Sequence, residues 1–192
     1  MNKKIKAIVW IIIIFALLVA SYTIYSKNSP KGTIPPSNQE LSKSQSAQIN
    51  NPIAPDFNLK DLNGKNVKLF DYRGKIVILN FWAVWCKYCK QEMPDLNKLN
   101  KELEKDNEVV ILAIDAQESS DTVKKYLSDN NINLKVLLDQ DGSVTQSYNV
   151  SGFPTTFFIN KDGTLYTYIP GATNIETLKE IIRKIKTGES AE

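Results

Sequence analysis

An α/β sandwich, with a central mixed sheet flanked by helices and an N-terminal β-hairpin, is the fold class this sequence predicts. Three observations predict it. Short apolar runs of strand length alternate with amphipathic stretches of helix length through the middle of the chain. The last third carries a hairpin pattern followed by one more amphipathic stretch, which adds antiparallel pairing to the parallel βαβ arrangement. Near the start of the same region, Asn63-Gly64 sits between two short strand-like runs, a strong hairpin signal.

The elements follow in order. Residues 52–70 hold Ala54-Pro55-Asp56-Phe57 and the Asn63-Gly64 turn, giving the N-terminal hairpin. Residues 76–82 (IVILNFW) form a buried strand. From residue 86 to about 105 a helix is expected, with Met93, Leu96, Leu99 and Leu103 on one face and Pro94 bending it. Residues 109–114 (VVILAI) make a second buried strand. Residues 119–129 read as a helix with Val123, Tyr126 and Leu127 facing inward, and 134–138 as a short strand ending in the turn 139–142. Residues 155–159 and 165–169 pair around Lys161-Asp162-Gly163. The closing helix starts at a capping box, Thr173 with Glu176, and carries Ile175, Leu178, Ile182 and Ile185.

Only residues 52–192 have the makings of this domain. Residues 1–26 begin with Lys3, Lys4 and Lys6 and continue as an uncharged, mainly apolar stretch about long enough to cross a ~30 Å hydrocarbon layer. Basic residues ahead of the stretch place the N-terminus in the cytoplasm and the domain outside the bacterial membrane. An uncleaved signal anchor fits better than a cleaved signal, because apolar character continues past the fair cleavage site Leu18-Val19-Ala20. No cysteine stands directly after the stretch to take a lipid anchor. Residues 27–51 are rich in Ser, Asn, Gln, Lys and Pro, a solvated tether.

The whole chain has a formal charge of +3, yet from Asn51 onward 18 Lys and Arg face 20 Asp and Glu, a formal −2. The positive balance belongs to anchor and tether. The domain shows no basic stripe, and nucleic acid is not an expected partner.

Cys86 and Cys89 are the only cysteines, in Trp85-Cys86-Lys87-Tyr88-Cys89 directly after the first buried strand. Where a strand hands over to a helix, unpaired N–H groups and the positive dipole end stabilise a thiolate on the first sulfur. Cβ atoms three residues apart on a helix are about 5–6 Å apart, close enough for a modest rotation to join the sulfurs. A bridge closing so small a loop restrains the unfolded chain little, so a redox-active pair is favoured over a structural staple. With two thiols and no histidine, a copper or zinc carrier lacks ligands, and no metal or other cofactor is expected beyond the disulfide itself.

Phe81-Trp82-Ala83-x-Trp85-Cys86-x-x-Cys89, followed by Gly152-Phe153-Pro154-Thr155, resembles the thioredoxin fold. Ala54-Pro55-x-Phe57, Gly74-Lys75, Glu92-Met93-Pro94 and Thr156-Phe157 narrow the resemblance to the membrane-anchored TlpA and ResA proteins, over residues 52 to about 187. The resemblance implies that Cys86 is the exposed attacking thiol and Cys89 the buried resolving one. It implies that Pro154 is a cis-proline facing the disulfide, offering backbone groups to an extended substrate. Thioredoxins carry a buried aspartate in the strand beneath the site, where this chain has Asn80; ResA-like proteins have a glutamate three residues after the second cysteine, and Glu92 stands there. A partly buried Glu92, one turn from Cys89, can take the resolving thiol's proton. Its bland alternative is a solvated helix glutamate.

The chain departs from the family at Tyr88, where proline is usual. Residues between the cysteines tune the thiol and hence the reduction potential. Lys87 either steadies the Cys86 thiolate or is simply solvated. Trp82 is expected in the core, Trp85 as an exposed platform beside the sulfur, and Phe153 as a substrate contact.

The expected function is that of an extracytoplasmic thiol–disulfide oxidoreductase, a reductase of protein disulfides. The family implies clients in cytochrome c maturation or envelope and spore assembly, and a membrane electron donor of the CcdA/DsbD type. A disulfide-forming oxidase using the same site is the alternative. A peroxiredoxin is disfavoured by the Trp85-Cys86 context and the CxxC partner, and a vestigial scaffold by the intact dithiol.

Overall fold

Residues 51–190 are described by the computed structural model; the expected anchor and nearly all of the tether lie outside them. Among these residues no helix is long and apolar enough to cross a membrane.

The central element is β3 (Ile76–Trp82), every residue of which is buried. It pairs in parallel with β4 (Val109–Ala116) and antiparallel with β6 (Thr155–Ile159). Strand β5 (Lys135–Asp139) continues the parallel part beyond β4. The expected N-terminal hairpin is β1 (Asn58–Asp61) and β2 (Asn66–Lys68), turning through Gly64 at φ +81°, a conformation glycine adopts without steric cost. Strand β7 (Leu165–Pro170) closes the other edge, giving seven strands in the order β2-β1-β5-β4-β3-β6-β7.

The crossovers fix where the helices lie. Helix α1 (Lys87–Glu102) connects β3 to β4 and α2 (Ser120–Asp129) connects β4 to β5. Both connections step the same way across the sheet, so right-handed crossovers put both helices on one face. Met93, Leu96 and Leu99 of α1, Val123 and Leu127 of α2, and Leu178 and Ile182 of α4 (Ile175–Thr187) share one core with Ile76, Ile78 and Trp82 of β3. Alternate β3 residues Val77, Leu79 and Phe81 point the other way, to a core with Phe57, Phe157 and Tyr148. Tyr148 follows a short helix, α3 (Ser143–Ser147), just after the expected turn at 139–142, in a stretch to which the sequence assigns no element. The architecture is the α/β sandwich expected.

Pro94 lies within α1, and the helix continues past it to Glu102 before a 3-10 turn, Leu103–Lys105. The capping box needs correction. Asn174, not Thr173, caps α4, its side chain accepting from the Thr177 N–H at 2.9 Å. Thr173 is engaged elsewhere, through its backbone.

Candidate redox site

The site is built at the carboxyl end of β3, where an open α/β sheet places its crevice. After Trp82 the chain turns, the Cys86 N–H donating to the Ala83 carbonyl at 3.1 Å. Cys86 keeps extended dihedrals and serves as the N-cap of α1, its Sγ accepting from the Cys89 N–H at 3.1 Å. Sulfur thus satisfies one of the free donors that every helix start presents. Cys86 and Cys89 are joined as a disulfide with their Cα atoms 5.3 Å apart. The pair is more covered than expected: Cys86 is 5% exposed and Cys89 1%. Cys86, expected to be exposed, is therefore only the more accessible of two nearly buried sulfurs, because the oxidised pair folds both into the core with Trp82 and Met93.

Around the disulfide the expected platform is present. Trp85 is 67% exposed and meets Phe153 edge to face, ring centroids 5.8 Å apart. Tyr88 is 60% exposed and Lys87 is exposed beside it. Trp82 is wholly buried, as expected, against Tyr126. The Phe153-Pro154 peptide is cis, but the Pro154 carbonyl already accepts from the Gly171 N–H at 2.8 Å. The N–H and carbonyl of Phe153, the residue before Pro154, have no hydrogen-bond partner among the described residues.

Glu92 lies one turn along α1 from Cys89 and is only 2% exposed, more deeply buried than expected. Its Oε2 accepts from the Asn80 amide at 3.3 Å, and its Oε1 from the Thr173 N–H at 3.3 Å. Asn80 also donates to Thr156 at 2.9 Å, which holds the amide facing the carboxyl. Burial outweighs these bonds and pushes the Glu92 carboxyl up to about 7. Asp95 adds a small like-charge push in the same direction. A carboxyl poised near neutrality, one turn from a thiol, can both accept and return a proton.

Two acids went unread in the sequence. Asp115, in the otherwise apolar β4, is fully buried, and burial drives its carboxyl well above the usual carboxylate range. Glu118 faces it and accepts the Val84 N–H, a backbone donor in the turn that leads to Cys86. One charged residue inside an apolar strand was the available signal. Lys90, Lys98 and Lys101 line a cavity of about 300 Å³ between α1 and α2 with Pro94, Tyr126 and Ile132. Among the described residues no cluster of three or more His, Cys, Asp or Glu side chains is arranged to hold a metal ion.

Residues 51–168 match the model of the AhpC/TSA family. The chain is 35% identical over 187 residues to the thiol-disulfide oxidoreductase ResA of Geobacillus thermodenitrificans (strain NG80-2), covering 97% of this chain and 99% of that one. With the ResA protein of Bacillus subtilis (strain 168) it shares 38% identity over 138 residues, 72% of this chain and 76% of the relative. Among solved structures, the pneumococcal exposed lipoprotein thioredoxin Etrx1 from Streptococcus pneumoniae strain TIGR4 superposes with a TM-score of 0.61 at 32% identity, over 68% of this chain and 99% of that one.

Proposed function

Because this chain belongs to the AhpC/TSA family and is a thiol–disulfide oxidoreductase like its ResA relatives, we propose that it works as a reductase of protein disulfides, with Cys86 attacking and Cys89 resolving. The observation that carries the reading is the closed Cys86–Cys89 pair at the start of α1, next to the exposed Trp85, whose ring meets the half-buried Phe153.

In the reduced protein the Cys86 thiolate attacks one sulfur of a substrate disulfide. That bond breaks, a mixed disulfide forms, and the departing substrate sulfur takes up a proton. Glu92 accepts the proton of Cys89, whose thiolate attacks Cys86 Sγ and releases the second substrate thiol. The substrate gains two electrons and two protons, and the protein is left as the disulfide seen here. Phe153 offers backbone groups to the substrate chain, and Trp85, Tyr88 and Lys87 provide exposed side chains around the sulfur.

The rest of the reading follows from the sequence. The basic, then apolar, N-terminal segment supports a single-pass anchor in the bacterial membrane with the domain on the outer side. A membrane donor of the CcdA/DsbD type would restore the dithiol. Apocytochrome c cysteines, or envelope and spore-assembly proteins, are the clients in this reading.

Replacing Cys89 by Ser in the full chain in its native membrane is expected to trap a client on Cys86 as a mixed disulfide that dithiothreitol releases. A reduction potential near about −120 mV, that of a strong oxidant, would overturn the reductase direction in favour of disulfide formation.

A further inference from the structure

The exchange steps above make no use of the second buried carboxyl. Asp115 sits at the carboxyl end of β4, paired in register with Trp82 at the end of β3. Paired residues of parallel strands point to the same face, so both face α1 and α2, on the side that holds the disulfide. Among the described residues, four buried side-chain nitrogen or oxygen atoms lack a hydrogen-bond partner; two are the Asp115 oxygens and a third is Trp82 Nε1. An ionised carboxylate without partners in such a place is strongly disfavoured, and a proton resolves the conflict.

The groups facing Asp115 decide what that proton can do. Glu118, on the loop after β4, is the charged group that acts on it most strongly. From β5, Asp139 also acts on it as a like charge, but Asp139 is occupied by the Val144 and Thr145 N–H groups and the Thr145 hydroxyl. From β3 the paired residue is the indole of Trp82, which does not titrate. From α2, Tyr126 packs on that indole, and Lys90 of α1 stands 5.9 Å over the Tyr126 ring. Besides Lys90, α1 brings the Cys86–Cys89 pair and Glu92 to this face. Glu118 is the member of this set that holds backbone of the active-site turn, through the Val84 N–H.

We propose that Asp115 and Glu118 are a proton-sharing carboxyl pair that positions the turn carrying Cys86 and restrains ionisation of its thiol. A protonated Asp115 donates its hydroxyl to Glu118 while Glu118 holds Val84, so one negative charge, not two, lies under the turn. When Asp115 gives up the proton, two like charges face each other beneath Cys86. The Cys86 thiolate is then opposed by a second negative charge, and the Glu118–Val84 tether is strained by repulsion. Asp115 and Glu118 are positioning residues; neither touches the reacting sulfur bond. The restraint on Cys86 rests on its role as the attacking thiol, whereas the shared proton does not.

Two measurements on the full chain test this. In the oxidised protein labelled with carboxyl carbon-13 aspartate, one side-chain resonance should titrate well above the usual carboxylate range and vanish in Asp115→Asn; glutamate labels, and so Glu92, are silent in it. In the reduced protein, Cys86 alkylation by iodoacetamide is followed between about pH 5 and 10, in a Glu92→Gln background that removes the other neutral-range carboxyl. The profile should show two linked ionisations, collapsing to one in Asp115→Asn with alkylation roughly three- to tenfold faster near pH 8. Glu118→Gln, which removes the like charge but leaves Asp115 buried, should move the second ionisation to lower pH, and serves if Asp115→Asn fails to fold. The proposal is overturned if every aspartate titrates in the usual range, or if both variants keep the wild-type profile. Should the high resonance be present but iodoacetamide mark Cys89 instead of Cys86, the shared proton stands and the assignment of the attacking thiol fails.

Discussion

Replacing Glu92 by Gln should change how stability depends on pH, in a direction the burial of this carboxyl dictates. In the folded chain Glu92 keeps its proton up to about pH 7, while in the unfolded chain it loses it near the ordinary 4.5. Between these values the native state binds more protons than the unfolded one, so this group's contribution to stability falls as pH rises, and is fully lost above about 7. At about 1.4 kcal/mol for each pH unit between the two values, wild type should lose about 2–3 kcal/mol relative to Glu92→Gln between pH 5 and 8. Guanidinium unfolding of both oxidised proteins at a series of pH values measures the difference, and effects of other carboxyls, Asp115 included, cancel in it. The variant should match wild type within about 1 kcal/mol at pH 5 and exceed it at pH 8. Parallel curves across that range would refute the claim that burial governs Glu92. The same variant should prolong the mixed disulfide about 100-fold at pH 8, since Cys89 loses its proton acceptor.

Other perturbations separate packing from function. Asn80→Asp would set a second carboxyl 3.3 Å from Glu92; unfolding at pH 8 should reveal a loss of roughly 2–4 kcal/mol that shrinks on acidification, and equal stability at pH 8 would count against the Asn80–Glu92 contact. Asn174→Ala should cost about 1 kcal/mol through loss of the α4 cap, while Thr173→Ala, whose backbone makes the recorded bond, should stay within about 0.5 kcal/mol. Trp85→Ala should leave the unfolding midpoint nearly unchanged, because the ring is 67% exposed. It should raise KM for a protein disulfide about tenfold and leave reaction with a small aromatic disulfide within about twofold; an equal loss with both substrates would exclude a role in recognition.

The strands and the cysteine pair were legible because their signals are local. Apolar runs of strand length and a CxxC after the first of them require nothing distant to be recognised. Glu92 was legible as a helical neighbour of Cys89, but its depth was not, because the lid over it includes Thr173, 81 residues away. The same long-range bond explains the misplaced cap: Thr173 fits the capping pattern, yet its N–H is drawn to Glu92 and Asn174 begins the helix instead. Helix α3 has too few residues for a periodic pattern, and its first turn is held by the side chain of Asp139 on β5. The lysines around the cavity escaped notice because net charge averages over the domain, whereas a helix collects residues spaced three, four or seven apart along one side. Asp115 was hidden in plain view: strand propensity is read from the apolar majority, and a single acid does not alter the pattern.

One atom, Cys86 Sγ, is both half of the crosslink and the acceptor on which α1 starts. In the closed form it offers the Cys89 amide an uncharged sulfur; once released as thiolate it offers the same amide a full charge, and hydrogen bonds of that kind are roughly twice as strong. The leading coil of α1 is therefore fastened more firmly each time the protein is charged with electrons, and slackened each time it spends them.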